Sequence, residues 1–172
     1  HLEQAGKVRH FGVSNQNPMM MELLKTAVKQ PLKVNQLQLS AAFTPSFEAG
    51  FHVNMEGPKA AVRDGSVFEY CRLTDTVIQA WSVLQHGYFK GNFVGKEEFA
   101  ALNHVLTDLA KKYQVTPTAI ALAWVLRYPG KVQAVIGTTK PKHVLEAGKA
   151  ATVTLTRKEW YQIYLATGND LP

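Results

Sequence analysis

The stretch "VRHFGVSNQNPMMMELLKTAVKQPLKVNQLQLS", residues 8–40, sets two strand-like runs on either side of a helical one. Residues 8–14 read as a short buried strand. Asn17-Pro18 then opens a helix that runs to roughly Val28. Proline suits the first helical turn, where its missing N–H has no partner to lose. Met19, Met20 and Met21 with Leu23 and Leu24 supply that helix with an apolar face. Residues 33–40 alternate apolar and polar side chains, the period of a second strand. Two strands joined through a helix form a parallel pair with a crossover. The rest of the chain repeats this unit.

Residues 41–64 form a long segment rich in Gly, Pro and aromatics, of a length that usually marks a functional or mobile loop. Phe43, Phe47 and Phe51, with Phe89 further on, either line an apolar pocket or anchor their loops, and the anchor reading is favoured. Residues 66–75 suggest a short helix with Ser66 as N-cap. A third strand spans 76–82 and runs into a loop containing Gly87 and Gly91. Residues 96–114 have helical periodicity, with Phe99, Leu102, Leu106 and Leu109 on one face. Thr116-Pro117 caps a helix that is apolar nearly all round, the mark of a buried helix. The fourth strand covers 132–139 and a short helix follows. Thr156 and Glu159 make a capping box for the last helix, which ends at Gly168. Four strand–helix units argue for a parallel α/β fold. They form either an open sheet or half of an eight-stranded barrel, with no internal domain boundary over residues 1–172.

Composition narrows the classes. With 46% apolar and 19% charged residues, the chain has a globular balance. No apolar run approaches the roughly 20 residues of a membrane helix, and no basic-then-apolar N-terminus suggests a secretory signal. A single cysteine, Cys71, makes no internal disulfide, so nothing points to an oxidising compartment. A cytoplasmic protein without membrane partners is expected, with Cys71 a half-buried, inert thiol. The net charge of +6 is scattered, densest around Lys140, Lys142 and His143. There is no basic stripe with interleaved aromatics, so nucleic acid is not expected as a partner. Gly-x-Gly-x-x-Gly, Walker, His-Glu-x-x-His and Cys-x-x-Cys motifs are absent from the sequence, and no histidine pair has metal-ligand spacing.

What remains is a set of polar residues near the C-terminal ends of the strands, where parallel α/β folds bind ligands. Ser14-Asn15 follow the first strand and Gln36 lies in the second. Trp81-Ser82 end the third, and Gly137-Thr138-Thr139 end the fourth. Each group alone has an ordinary structural explanation. Together they suit a flat ligand that carries phosphate. An indole offers a stacking face, amides and hydroxyls pair with a carboxamide, and a helix start beside Lys140 and His143 suits phosphate. A nicotinamide dinucleotide has this form, and the local positive charge favours its 2′-phosphate version.

The segments "GKVRHFGVSN", "VNQLQLS", "AWSVLQHG", "AIALAWVLRYPGKVQAVIGTTKP" and "LTRKEWYQIYLATGNDLP" follow one another in an order and spacing that resembles the C-terminal half of a bacterial aldo-keto reductase. Residues 41–64 match least. The resemblance implies a (β/α)8 TIM barrel, of which this chain would be strands five to eight with their helices. It implies reduction of small aldehydes and ketones to alcohols with NADPH, NADH not being excluded. By position, Ser14, Asn15 and Gln36 resemble the residues that hold the nicotinamide carboxamide, and Trp81 the aromatic stacked on its ring. Ser82, Val83 and Leu84 resemble the pyrophosphate loop. Gly137, Thr138, Thr139 and Lys140 resemble the loop under the adenosine phosphate. His143 stands where the family usually has Arg, and Glu146 matches an adenine-side Glu, while Ala147 replaces the usual Asn. Exchanging Arg for His loses a permanent charge and a bidentate fork, so NADPH preference is less firmly implied than nicotinamide binding. The family's catalytic Asp, Tyr, Lys and His lie in the other half of the barrel, and no tyrosine here occupies that motif. No catalytic residue is therefore assigned, and the chain alone is expected to reduce nothing. The competing expectation is a non-catalytic half-barrel that binds a nucleotide. Its open edges near 8–14 and 132–137 would self-associate or receive a missing N-terminal half.

Overall fold

The computed structural model describes residues 1–51, 66–87 and 90–169. Four strands, β1 (Phe11–Ser14), β2 (Leu32–Gln38), β3 (Val77–Trp81) and β4 (Val132–Ala134), form one parallel sheet in chain order. Helix α1 (Pro18–Ala27) connects β1 to β2. Helices α2 (Pro45–Phe51) and α3 (Val67–Leu73) lie between β2 and β3. Helices α4 (Ala100–Tyr113) and α5 (Pro117–Leu126) lie between β3 and β4, and α6 (Pro141–Gly148) and α7 (Arg157–Ala166) follow. The strand–helix alternation read from the sequence is this order, except that α2 forms within residues 41–64, read there as a loop; Pro45 suits its first turn.

The edges of the sheet differ from expectation. β1 starts at Phe11 rather than Val8, and it alternates half-buried and exposed residues instead of lying buried. β4 stops at Ala134, although Val135 N still donates to Ala80 O at 2.8 Å. Each edge strand has one neighbour to bond, which shortens the ladder and leaves one flank in water. β1 lies close against β2, because a Cβ on Gly12 would fall 2.7 Å from Val34 Cβ and 2.8 Å from Val34 O. Only glycine fits there.

The register pairs Ser14 with Gln36, Gln36 with Gln79 and Gln79 with Gln133 across the four strands. Side chains alternate faces along a strand, so these four share one face. On the opposite face Leu37, Ile78 and Ala80 enter the core beneath α4 and α5. Phe47 of α2 sits among aromatic rings, with centroids 5.6 Å from Phe68, 5.5 Å from Tyr128 and 6.1 Å from Trp124. It is a loop anchor, as favoured. Phe43 is partly buried, while Phe89 and the side chain of Phe51 lie outside the described residues.

Three local readings are corrected. Met19, Met20 and Leu23 of α1 are exposed and only Met21 of that helix is buried. Ser66 stands at the start of α3 in a left-handed conformation (φ 63°), and its side chain makes no capping bond there. Cys71 is fully buried rather than half-buried, and burial pushes its thiol up to about 11 against the lowering effect of a hydrogen bond with Asn35. The capping box of α7 is present as read. Among the described residues, no helix is long and apolar enough to cross a membrane.

Candidate functional site

The first polar group is assembled where β1 and β2 end. Asn15 turns the chain out of β1 with a left-handed backbone (φ 53°), a conformation asparagine tolerates better than most residues. Its N–H donates to Gln36 O at 2.9 Å, and Ser14 Oγ donates to the same oxygen at 3.2 Å. The turn is clamped from the helix side by buried Asn35, which donates to Gln16 O at 2.8 Å and accepts from Gln16 N at 3.4 Å. Ser14, Asn15 and Gln36 are therefore brought together by backbone pairing.

A second left-handed residue, Ser82 (φ 52°), stands in the same place after β3. Such conformations in non-glycine residues persist where the surroundings hold them, and they concentrate at ligand sites. Here the holding contacts are Gln85 N to Ser82 O at 2.8 Å and Ser40 Oγ to Gln85 O at 2.6 Å. Further out, His86 Nε2 lies 2.9 Å from Lys90 O and 3.5 Å from Glu98, with its ring 4.9 Å from Phe99.

Beside this turn a cleft of about 620 Å³ opens between the ends of β3 and β4 and helix α6. Trp81, Ser82, Val83 and Leu84 form one wall, and Gly137, Thr138, His143 and Glu146 line the other side. Val83 is itself almost wholly buried, so it supports this wall from the core. Thr138 Oγ1 lies 3.4 Å from His143 Nδ1 and accepts from Lys140 N at 3.3 Å, tying the loop to the start of α6. Lys142 reaches Glu146 at 3.9 Å. Thr139 and Lys140 flank the cleft without lining it. Ser14, Asn15 and Gln36 do not line it either; Ser14 and Gln36 lie on the sheet face that Gln79 and Gln133 share.

Several polar residues here escaped the sequence reading. Gln38, in register with Trp81, is buried, and its Nε2 has no hydrogen-bond partner among the described residues. Gln85 lines the cleft with a buried Oε1 in the same condition. Gln79 and Gln133 carry a signal that was available: each is a lone amide within an apolar run, in "VIQAW" and "VQAV".

Residues 1–165 match the Aldo/keto reductase family. A 6-dehydroglucose reductase from Agrobacterium fabrum is 33% identical over 99% of this chain and 50% of its own length. The oxidoreductase YdhF of Escherichia coli is 31% identical over 100% of this chain and 52% of its own. The chain thus spans about half the length of the curated relatives it matches. Among solved structures, the thermostable aldo-keto reductase Tm1743 superposes with a TM-score of 0.68 at 22% identity, over 96% of this chain and 51% of that one. MGS-M4, an aldo-keto reductase from a deep-sea metagenome library, gives 0.65 at 21% identity, over 99% and 52%. With a family match across nearly all of its residues and the family's parallel α/β fold, the chain belongs to the aldo/keto reductase family.

Proposed function

We propose that this chain is the C-terminal half of a (β/α)8 barrel, strands five to eight with their helices, and that it carries the nicotinamide-dinucleotide site of an NADPH-dependent carbonyl reductase. The observation that carries the reading is the cleft at the strand ends. It joins an indole, a tight polar turn and the start of an eight-residue helix bearing His143. This donor set fits the group in each of its parts. Trp81 offers a ring face to the nicotinamide. Ser14, Asn15 and Gln36 offer donors and acceptors to its carboxamide. The N-terminal end of α6, with Lys142 and His143 beside it, favours phosphate. When bound, the reduced cofactor supplies a hydride to the substrate carbonyl carbon. The residues of this chain bind and orient, and the proton for the carbonyl oxygen comes from residues of the other half-barrel. NADH remains a second, weaker ligand, because His143 offers the 2′-phosphate less charge than an arginine does.

Titration of the 172-residue chain with NADPH tests this, read through energy transfer from tryptophan to the bound nicotinamide. Saturable transfer is expected, with weaker binding in Trp81→Leu, which removes the ring face offered to the nicotinamide. Absence of saturable binding sinks the proposal. With an aldehyde added, the chain alone is expected to leave NADPH unoxidised, and steady oxidation would place the proton donor within these residues. One observation favours a second reading, a non-catalytic half-barrel that self-associates: β1 and β4 each bond a single neighbour. Light scattering decides it, because a monomer of 19.1 kDa excludes self-completion.

A further inference from the structure

Three glutamines stand side by side across β2, β3 and β4. Gln36 is in register with Gln79, and Gln79 with Gln133. They lie on the face of the sheet opposite the helix-covered core. Gln36 Nε2 donates to Gln79 Oε1 at 3.4 Å, and Gln79 Nε2 donates to Gln133 Oε1 at 3.2 Å. Every donor in this row points towards β4. The row therefore has a direction, which a single amide lacks. A lone glutamine can rotate its amide by half a turn and exchange donor for acceptor at little cost. A glutamine in a directed row exchanges them only if its neighbours turn with it.

The consequence falls on Gln36. Its nitrogen is engaged by Gln79, and among the described residues its Oε1 accepts no hydrogen bond. One of the two N–H donors of the amide is thus taken up by the row, while both lone pairs of its oxygen face a ligand. Ser14 and Asn15 stand on the other side of Gln36, both donating to its backbone carbonyl. We propose that Gln79 and Gln133 are positioning residues that hold Gln36 with its oxygen presented, so that the site selects a neutral carboxamide, whose NH2 donates, over a carboxylate, which has only lone pairs to offer. The inference rests on the nicotinamide reading above and adds to it two residues that touch no ligand.

The test compares binding of the reduced dinucleotide with binding of its nicotinic-acid analogue, in which a carboxylate replaces the carboxamide. A third probe, the adenosine 2′,5′-bisphosphate fragment, lacks the nicotinamide altogether. The wild type is expected to prefer the carboxamide form by about tenfold, the scale of one net hydrogen bond. Gln79→Leu removes the acceptor for Gln36 Nε2 and should cut that preference to about threefold or less, while binding of the adenosine fragment stays unchanged. Gln79→Glu keeps an acceptor opposite Gln36, and because its charge also repels the acid analogue it is read from the carboxamide form alone, whose affinity should stay near wild type while falling in Gln79→Leu. Gln133→Leu should have a smaller effect than Gln79→Leu. If Gln79→Leu binds with wild-type discrimination, or if the wild type binds both forms equally, the relay is wrong while the cofactor site stands. If the wild type binds none of the three probes, the cofactor reading fails and this inference fails with it.

Discussion

Helices α1 and α5 begin alike and end up in different surroundings. Each is ten residues long, opens on a proline, and is capped by a polar side chain. Asn17 Oδ1 accepts from Met20 N at 2.9 Å, and Thr116 Oγ1 accepts from Ala119 N at 3.2 Å. Both are rich in apolar residues. Yet α5 buries an unbroken run from Ala119 to Val125, while α1 buries Met21 alone and leaves Met19 74% exposed. The difference lies in what surrounds them. α5 packs against α4, α6, β4 and the 3₁₀ turn at Lys149–Thr152, whereas α1 sits by the edge strand. Local chemistry makes the helix, and neighbours decide which of its faces is a core.

The sharpest way to break the comparison is Trp124→Ala in α5. The indole is buried, stacked on Trp160 at 4.9 Å between centroids, and the two rings donate to each other's backbone oxygens at 3.1 Å. Urea unfolding should show a loss of about 3–5 kcal/mol. A loss near that of a surface change would mean that α5 is not the centre of the core.

The caps can be set against a third helix whose cap carries a charge. In α7, Glu159 accepts from Thr156 N at 2.7 Å, Lys112 Nζ at 2.6 Å and Tyr113 Oη at 2.8 Å. Burial works to raise its carboxyl, but the bonds from Lys112, Thr156 and Tyr113 outweigh this and lower it from 4.5 to about 2. The unfolded chain therefore takes up this proton first as acid is added. The stability Glu159 contributes is complete above pH 4.5 and drains away as pH falls towards 2. Glu159→Gln should flatten that part of the stability–pH curve, and an unchanged acid limb would show that the carboxylate is not the group responsible. The neutral caps of α1 and α5 should show no such dependence.

Smaller effects sharpen the contrast. Thr116→Ala and Asn17→Ala each remove one cap bond, about 1 kcal/mol. In α5 the loss should appear in the global unfolding curve. In α1 it should appear mainly as faster amide exchange within that helix, because less of the structure depends on it. Smallest of all, Met19→Lys should move stability by less than about 0.5 kcal/mol. A larger loss would mean that the exposed face of α1 is covered in solution.

The sequence reading succeeded where the signal is local. Asn17-Pro18, Thr116-Pro117 and the Thr156–Glu159 box each name a helix start, because a cap needs only residues within one turn. It failed where the outcome depends on a distant neighbour. Met19 and Met20 of α1 look like part of a core face, but no described element covers them. Residues 8–10 and 135–139 look like strand, but an edge position leaves them without a full ladder. The amide row was invisible for the same reason: Gln36, Gln79 and Gln133 become one feature only through the register of three strands far apart in the chain.

The order of strands and helices outside residues 41–64, the caps at Asn17, Thr116 and Thr156, and the polar residues at the strand ends follow from the sequence by itself. Periodicity and capping act over a few residues, and the chain carries them wherever it goes. The tertiary structure alone decided which apolar residues are core, where the edge strands stop, and that Trp81 and Gly137 face one cleft. Those outcomes depend on contacts between segments dozens of residues apart, whose register is settled only when the whole sheet packs against its helices.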